Sequence, residues 1–226
     1  MINGFQSLGT VETLTRRELV LDRLRQAVTS NELPPGTHLT EIELSNSLGV
    51  SRGTLREALR HLQEEGLLTK DGRGRLFVRT LSPKEVEEIF DVRYALEGMA
   101  ASVICARPDL DQALKAIHSA LDNFFEFENA PIAEQVATDL AFHETICRES
   151  GNQTLLHSWQ RVSGLSRAVI TAAGAEIALE NMSAERHRPI VEAIASGDAE
   201  RARAAIWEHT HSAKLVIVER MRAQLD

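Results

Sequence analysis

The chain is poor in cysteine: Cys105 and Cys147 are the only two in 226 residues. Two thiols exclude a disulfide framework. Each falls in an apolar helical pattern, so both are expected to be buried thiols in a reducing, cytoplasmic setting. Long apolar runs are missing as well. No stretch approaches the roughly 18 residues that cross a bilayer, and no membrane partner is expected. The segment Met1–Thr15 has no basic stretch ahead of an apolar one, which argues against a secretory leader. Strand signal is absent beyond residue 82, and no repeat of about 20–50 residues recurs.

An excess of positive charge is also lacking. The net charge is −8, which at first sight disfavours nucleic acid as a partner. The distribution reverses that reading. Residues 1–81 hold 11 Lys+Arg against 10 Asp+Glu, a balance of +1, while residues 82–226 carry −9. DNA affinity depends on local positive charge against phosphate, so the average is the wrong quantity.

What is present divides the chain in three: a flexible tail over 1–12, a small domain over 13–81 and a helical domain over 82–226. A first helix is expected over Arg16–Ser30, with Leu19, Leu21, Leu24 and Val28 on its apolar side. Pro34, Pro35 and Gly36 break the pattern. Thr40 and Glu43 read as the capping box of a helix over Glu41–Leu48. Gly49 ends it, and Ser51 caps a second helix that Gly66 closes. Leu67–Thr69 and Leu76–Val78 read as two short strands around the hairpin turn Asp71-Gly72-Arg73-Gly74. Ser82-Pro83 opens the second domain, with proline in the first turn of a helix. Six helices follow, over 84–107, 109–127, 131–149, 154–174, 183–195 and 198–223. The fold expected is mainly α: an N-terminal winged helix-turn-helix with a two-stranded wing, then an all-α bundle of about six helices.

The turn Leu48-Gly49-Val50-Ser51 between two short helices is the heart of a helix-turn-helix. The first turn of the second helix exposes Ser51, Arg52, Gly53, Thr54 and Arg56. Such a helix inserts its N-terminal residues into the major groove. Arginine can donate two hydrogen bonds to guanine, and hydroxyls and free N–H groups suit phosphate. The hairpin, with Gly72, Arg73 and Arg75, would then lie over backbone or minor groove. A capped helix with a solvated arginine face is the plainer reading; the order of helix, breaker, two-helix turn and basic hairpin weighs against it.

The run LPPGTHLTEIELSNSLGVSRGTLREALRHLQEEGLL (33–68), followed by GRGRLFV, resembles the N-terminal domain of the GntR family of bacterial transcription regulators. By position, Ser51, Arg52, Gly53, Thr54 and Arg56 match that family's operator-reading residues, and Gly72 and Arg73 its wing tip. Where many members have Thr or Ser, this chain has Gly53, which can act only through its backbone.

In the second domain, Asp139 and His143 stand four apart in the helical segment LAFHETI, on one face about one turn apart. His187 opens a later helix, and His209 and His211 lie in the last. A carboxylate with imidazoles from separate helices is one way to build a metal site in a bundle. Surface or capping pairs of this kind are commoner, and a lone His on an apolar face is usually a core residue. Periodicity leaves open which of His209 and His211 faces inward.

Residues 83–222 resemble the ligand-sensing FCD domain of FadR-type GntR regulators, through FDVRYALEGMAA, DLAFH, ESGNQTLL and ERHRPIVEAIASGDAERARAAIWEH. About six helices suggest its shorter, VanR-like subgroup. The resemblance implies Asp139, His143, His187 and His209 as metal ligands, and Arg93 beside an effector carboxylate. Three imidazoles and one carboxylate suit Zn²⁺, Ni²⁺ or another divalent first-row ion. The expectation is a homodimeric transcription regulator, a repressor of double-stranded operator DNA answering to a small organic acid, and no enzyme. A metal-dependent enzyme carrying a DNA-binding module is the rival from another class, but no clear general base is in sight: Glu144 points about 100° away from His143. A regulator with a metal-free effector pocket is the other alternative.

Overall fold

The computed structural model describes residues 15–173 and 182–223, so the expected tail over 1–12 lies outside the described residues. Thr15 starts helix α1 (Arg16–Thr29) with a full capping box to Glu18. Its buried stripe is Val20, Leu24, Ala27 and Val28, the i, i+4, i+7, i+8 spacing of one helical face. Of the expected apolar side, Leu24 and Val28 are buried and Leu21 packs on the same core, but Leu19, about 100° from Val20 on the wheel, is 54% exposed, and Val20 is buried in its stead. Strand β1 (His38–Leu39) comes next, then α2 (Glu41–Leu48) and α3 (Arg52–Glu64). Gly49 sits between the two helices in the left-handed region at φ 61°, where a side chain is strained. The capping box expected at Thr40 does not form. Its hydroxyl bonds the Glu43 carboxylate and makes no bond to the helix backbone. Ser51 does cap α3, accepting from the Thr54 N–H.

Strands β2 (Leu68–Lys70) and β3 (Leu76–Val78) form the hairpin. The sheet has three strands rather than the expected two. Its antiparallel order is β1-β3-β2, with Leu39 opposite Leu76 and Leu68 opposite Val78. A two-residue strand is too short to show alternation, which is why the sequence pattern missed β1.

Ser82 caps α4 (Pro83–Cys105) with a full capping box to Glu85 and proline in the first turn. Then follow α5 (Leu110–Glu126), α6 (Ile132–Glu149), α7 (Gln153–Ala173), α8 (Ala184–Ala195) and α9 (Ala199–Ala223). Among the described residues, everything after β3 is helical or loop. Cys147 is buried as expected, whereas Cys105 is partly exposed.

Two apolar clusters hold the structure. One joins α1, α3 and the sheet through Val20, Leu24, Leu55, Leu59, Leu62 and Val78. The other fills the bundle, with Phe90, Ile104, Ile117, Phe142, Trp159 and Ile206 among its members. Helix α7 serves both: Trp159 belongs to the bundle core, while Ala168 packs on the first cluster. A Cβ on Gly66 would stand 2.7 Å from Leu165 Cδ2 of α7, and Gly66 has φ 76°. Only glycine lets the turn after α3 both adopt that conformation and approach α7 so closely. A cavity of about 630 Å³ lies at this junction, walled by Val28, Pro34, Leu67, Leu81, Val86 and Ala168.

Candidate DNA-binding surface and metal centre

The N-terminus of α3 stands out in solvent. Ser51, Arg52, Gly53 and Arg56 are exposed and Thr54 is partly so. The Ser51 hydroxyl lies 2.9 Å from that of Thr54, so both are partly engaged in the cap. Arg56 Nε donates to Glu41 Oε2 at 2.7 Å, which ties this side chain to α2. Arg52 has no such partner among the described residues. At the wing, Asp71 organises the turn: its Oδ1 accepts from the N–H groups of Arg73 and Arg75, and its Oδ2 from Arg75 Nε. Arg75 is thereby held in the turn and lies over Phe77. Gly72 and Arg73 form an exposed tip.

In the bundle, three helices converge on one buried polar cluster. Helix α6 brings Asp139 and His143 from one face, α8 brings His187 from its first turn, and α9 brings His209. One ligand atom from each of these four lies within 4.8 Å of the others, and all four residues are buried. His211 takes no part; it stacks on Trp207 with ring centres 4.5 Å apart.

Hydrogen bonding orients the rings. His187 Nδ1 is 2.9 Å from the Ser183 carbonyl oxygen. A carbonyl only accepts, so Nδ1 carries the proton and Nε2 faces the cluster. His143 Nδ1 lies 2.8 Å from Glu97 Oε2. The pair is poorly aligned for a hydrogen bond, and both atoms otherwise lack a partner among the described residues, so the contact is chiefly electrostatic. The two Nε2 atoms of His143 and His187 are 3.3 Å apart, and Asp139 Oδ1 is 3.2 Å from His187 Nε2. His209 Nδ1 is buried with no partner among the described residues. Phe124 stacks on His187 at 4.4 Å and Phe142 meets it edge-on at 4.9 Å.

The electrostatics follow from this crowding. Burial, then the neighbouring His187 and His143, push the His209 pKa well below the ordinary imidazole value, which keeps a lone pair available. Burial alone would raise the carboxyl pKa of Asp139. The His187 hydrogen bond and the charges around it reverse that and hold it below its usual value. Glu97 behaves alike: burial works upward, but His143 and Arg93 beside it prevail and keep it ionised.

The residues fit a cation. One ligand atom from each of four buried side chains lies within 4.8 Å of the others, and a bound ion would take the place of the protons these groups share. A 3.3 Å separation of Nε2 atoms allows one ion about 2.0–2.1 Å from each. Three imidazoles and a carboxylate match the preferences of Zn²⁺ or Ni²⁺.

Comparison with known proteins agrees with both halves. Residues 16–78 match the model for bacterial regulatory proteins of the gntR family, and residues 88–212 match the FCD domain. A probable D-xylose utilization operon transcriptional repressor from Paenarthrobacter nicotinovorans is 30% identical over 205 residues, 89% of each chain. A putative L-lactate dehydrogenase operon regulatory protein of Escherichia coli is 29% identical, over 84% of this chain and 81% of its own. This chain belongs to the GntR family. A putative GntR regulator from Rhodococcus sp. RHA1 shares the fold at TM-score 0.73 and 25% identity, covering 91% of this chain and 99% of that one.

As a GntR-family chain with an FCD domain, the protein is a bacterial DNA-binding regulator of transcription and not an enzyme. No helix among the described residues is long and apolar enough to cross a membrane. Within the FCD domain the sequence pattern missed two residues around the cluster. Glu97 accepts at one oxygen from Arg93 Nε at 3.0 Å and from Trp159 Nε1 at 2.8 Å, while its other oxygen faces His143. A signal for Glu97 existed: an acid inside the apolar run ALEGMAA, four residues after Arg93. None existed for Trp159, which reads as core. Arg93 itself is buried and its guanidinium donates through Nε to Glu97 and lies over the Phe90 ring; its two terminal nitrogens make no hydrogen bond among the described residues.

Proposed function

We propose that this regulator is a homodimeric repressor whose hold on operator DNA is switched by a small organic acid bound at a divalent metal in the helical domain. The convergence of Asp139, His143, His187 and His209 in a buried cluster carries the reading. Zn²⁺ or Ni²⁺ would be held by these four. When bound, the metal supplies a Lewis-acid anchor for a carboxylate. Arg93 offers two unpartnered Nη donors nearby, suited to a two-pronged bond with the same carboxylate. Glu97 would orient His143 and the Ser183 carbonyl His187, as carboxylates and carbonyls do around metal-bound imidazoles.

The working division is a DNA-binding domain over 13–81 and an effector-binding and dimerisation domain over 82–226. In the first, Arg52 is the free base-reading group. Arg56 reads bases only after exchanging its Glu41 partner for DNA. Ser51, Gly53 and Thr54 face the phosphates, and Gly72 and Arg73 extend the contact from the wing. Repressor names among the relatives support the sign of regulation. A ligand acts by its differential affinity for the two dispositions of the DNA-binding domains.

The test is a mobility-shift titration on the gene's own upstream region, with metal-loaded and chelated protein, across a panel of small acids. Release by an acid only when metal is present supports the proposal; release without metal refutes the metal's role. The cavity of about 630 Å³ at the domain junction favours one second reading, a metal-free effector pocket. In that case chelation leaves the acid response intact and a bulky residue at Ala168 removes it.

A further inference from the structure

The space of about 630 Å³ between the two halves of the chain has a chemistry of its own. Its size falls within the roughly 300–1,000 Å³ of small-molecule sites. None of Asp139, His143, His187 and His209 lines it. The DNA-binding half contributes Val28, Leu67 and Val78 to its walls, and the bundle contributes Val86, Val169 and Met221. Apolar walls gain most from an apolar body that displaces water. Three of the chain's six prolines, Pro34, Pro35 and Pro83, also stand in these walls. Their rings fix the backbone, so the walls are preformed and a ligand loses little affinity to ordering them.

Charge says what such a ligand is. Among the described residues that line the cavity, Arg79 and Glu85 are the only two that carry charge. They neutralise each other: Arg79 Nη2 donates to Glu85 Oε1 at 2.7 Å. The other carboxylate oxygen accepts from the N–H and the hydroxyl of Ser82, both at 2.8 Å. An anionic ligand would have to break this pair or lie unpaired near Glu85, which is costly among apolar walls. Two neutral polar groups remain. Asn31, held in the left-handed region at φ 62°, and Thr80 both line the cavity. Neither side chain makes a hydrogen bond among the described residues.

We infer that this cavity is a second ligand site, separate from the metal centre, and that it takes an uncharged, largely apolar small molecule with one hydrogen-bonding group for Asn31 or Thr80. Such a ligand touches both halves of the chain at once. This goes beyond the metal–carboxylate reading and does not depend on it.

The experiment uses the full chain and two probes with one ring skeleton: phenylnaphthylamine, which is uncharged and has a single N–H, and its sulfonated counterpart anilinonaphthalenesulfonate, an anion. Equilibrium dialysis measures each. The uncharged probe is expected to bind at one molecule per chain and about tenfold or more tighter than the anion, the cost of one polar group buried without a partner. Chelation of metal should leave its affinity unchanged. Thr80→Trp puts bulk on an exposed wall residue and should weaken the uncharged probe about tenfold or more, with the melting temperature of the probe-free protein unchanged. Met221→Trp, which fills the cavity from α9, should do the same and guards against a local effect at Thr80. No saturable uptake by the wild type, as a segment of this chain already seated there would cause, overturns the inference. So does an anionic probe that binds as well, uptake lost on chelation, or uptake that survives both substitutions.

Discussion

Glu97 and His143 face each other across 2.8 Å, both buried, on helices α4 and α6. The same carboxylate takes the indole N–H of Trp159 and the guanidinium of Arg93. One acid thus ties α4 and α7 to the ring on α6 that heads the cluster. Outer partners of metal ligands of this type typically contribute 10–100-fold in affinity. Glu97→Gln is therefore expected to weaken metal binding by about one to two orders of magnitude, read by competition with a chromogenic chelator. Unchanged affinity would mean that Glu97 serves packing alone.

Metal removal should lower stability. A ligand that binds only the folded state adds about 2.7 kcal/mol at a hundred times its Kd. Chelation should lower the melting temperature of the wild-type protein. In His143→Ala the chelated and metal-supplemented curves should coincide. A wild-type melting curve indifferent to chelator and to added Zn²⁺ would count against the site.

Arg52→Ala should relax base preference at one operator position and cost about 1–3 kcal/mol. Arg73→Ala should weaken all sequences alike and reduce the salt slope by about one. Glu41→Gln releases Arg56 from its ion pair and should tighten binding if Arg56 must leave Glu41 to meet DNA. Binding titrations over a salt series separate the three.

Gly66→Ala is expected to destabilise the chain by more than the roughly 1 kcal/mol typical of forcing a side chain into the left-handed region. The new Cβ also meets Leu165 Cδ2 at 2.7 Å. Gly72→Ala, with nothing within 4 Å of its new Cβ, should be nearly neutral. Urea midpoints for the pair give the comparison.

Acid should loosen the link between β3 and α4. Glu85 accepts the backbone N–H of Ser82 and pairs with Arg79. The Ser82 hydrogen bonds and the Arg79 partner lower its pKa to about 2, from 4.5. A depressed carboxyl stabilises the fold above its unfolded pKa, and the contribution is lost as pH falls from about 4.5 toward about 2. Glu85→Gln should flatten the stability profile in that window. An identical acid slope in wild type and variant would rule Glu85 out as its source.

The parts of this molecule that were legible in the sequence share one property: local chemistry determines them. Ser82, Pro83 and Glu85 announce α4 because a capping box needs only adjacent residues. The turn at Gly49 and the cap at Ser51 are equally local. What the pattern missed depends on neighbours distant in the chain. Leu19 and Val20 are both good core residues, and only the position of α3 and the sheet decides between them. Thr40 and Glu43 match a capping box, yet the Thr40 hydroxyl donates to the Glu43 carboxylate and accepts nothing from the helix backbone. Periodicity could not choose between His209 and His211; the family resemblance named His209, and the packing of α9 turns it inward. Glu97 and Trp159 meet only because α4 and α7 cross.

The double membership of α7 has a consequence for dissection of the protein. Leu165 and Ala168 act as a lid on the turn after α3 and on the core beneath it. A fragment ending at residue 81 would leave that apolar patch in water, where a second fragment could cover it. Such a fragment is expected to self-associate, to melt earlier than the same residues within the full chain, and to misreport the DNA affinity of the intact regulator.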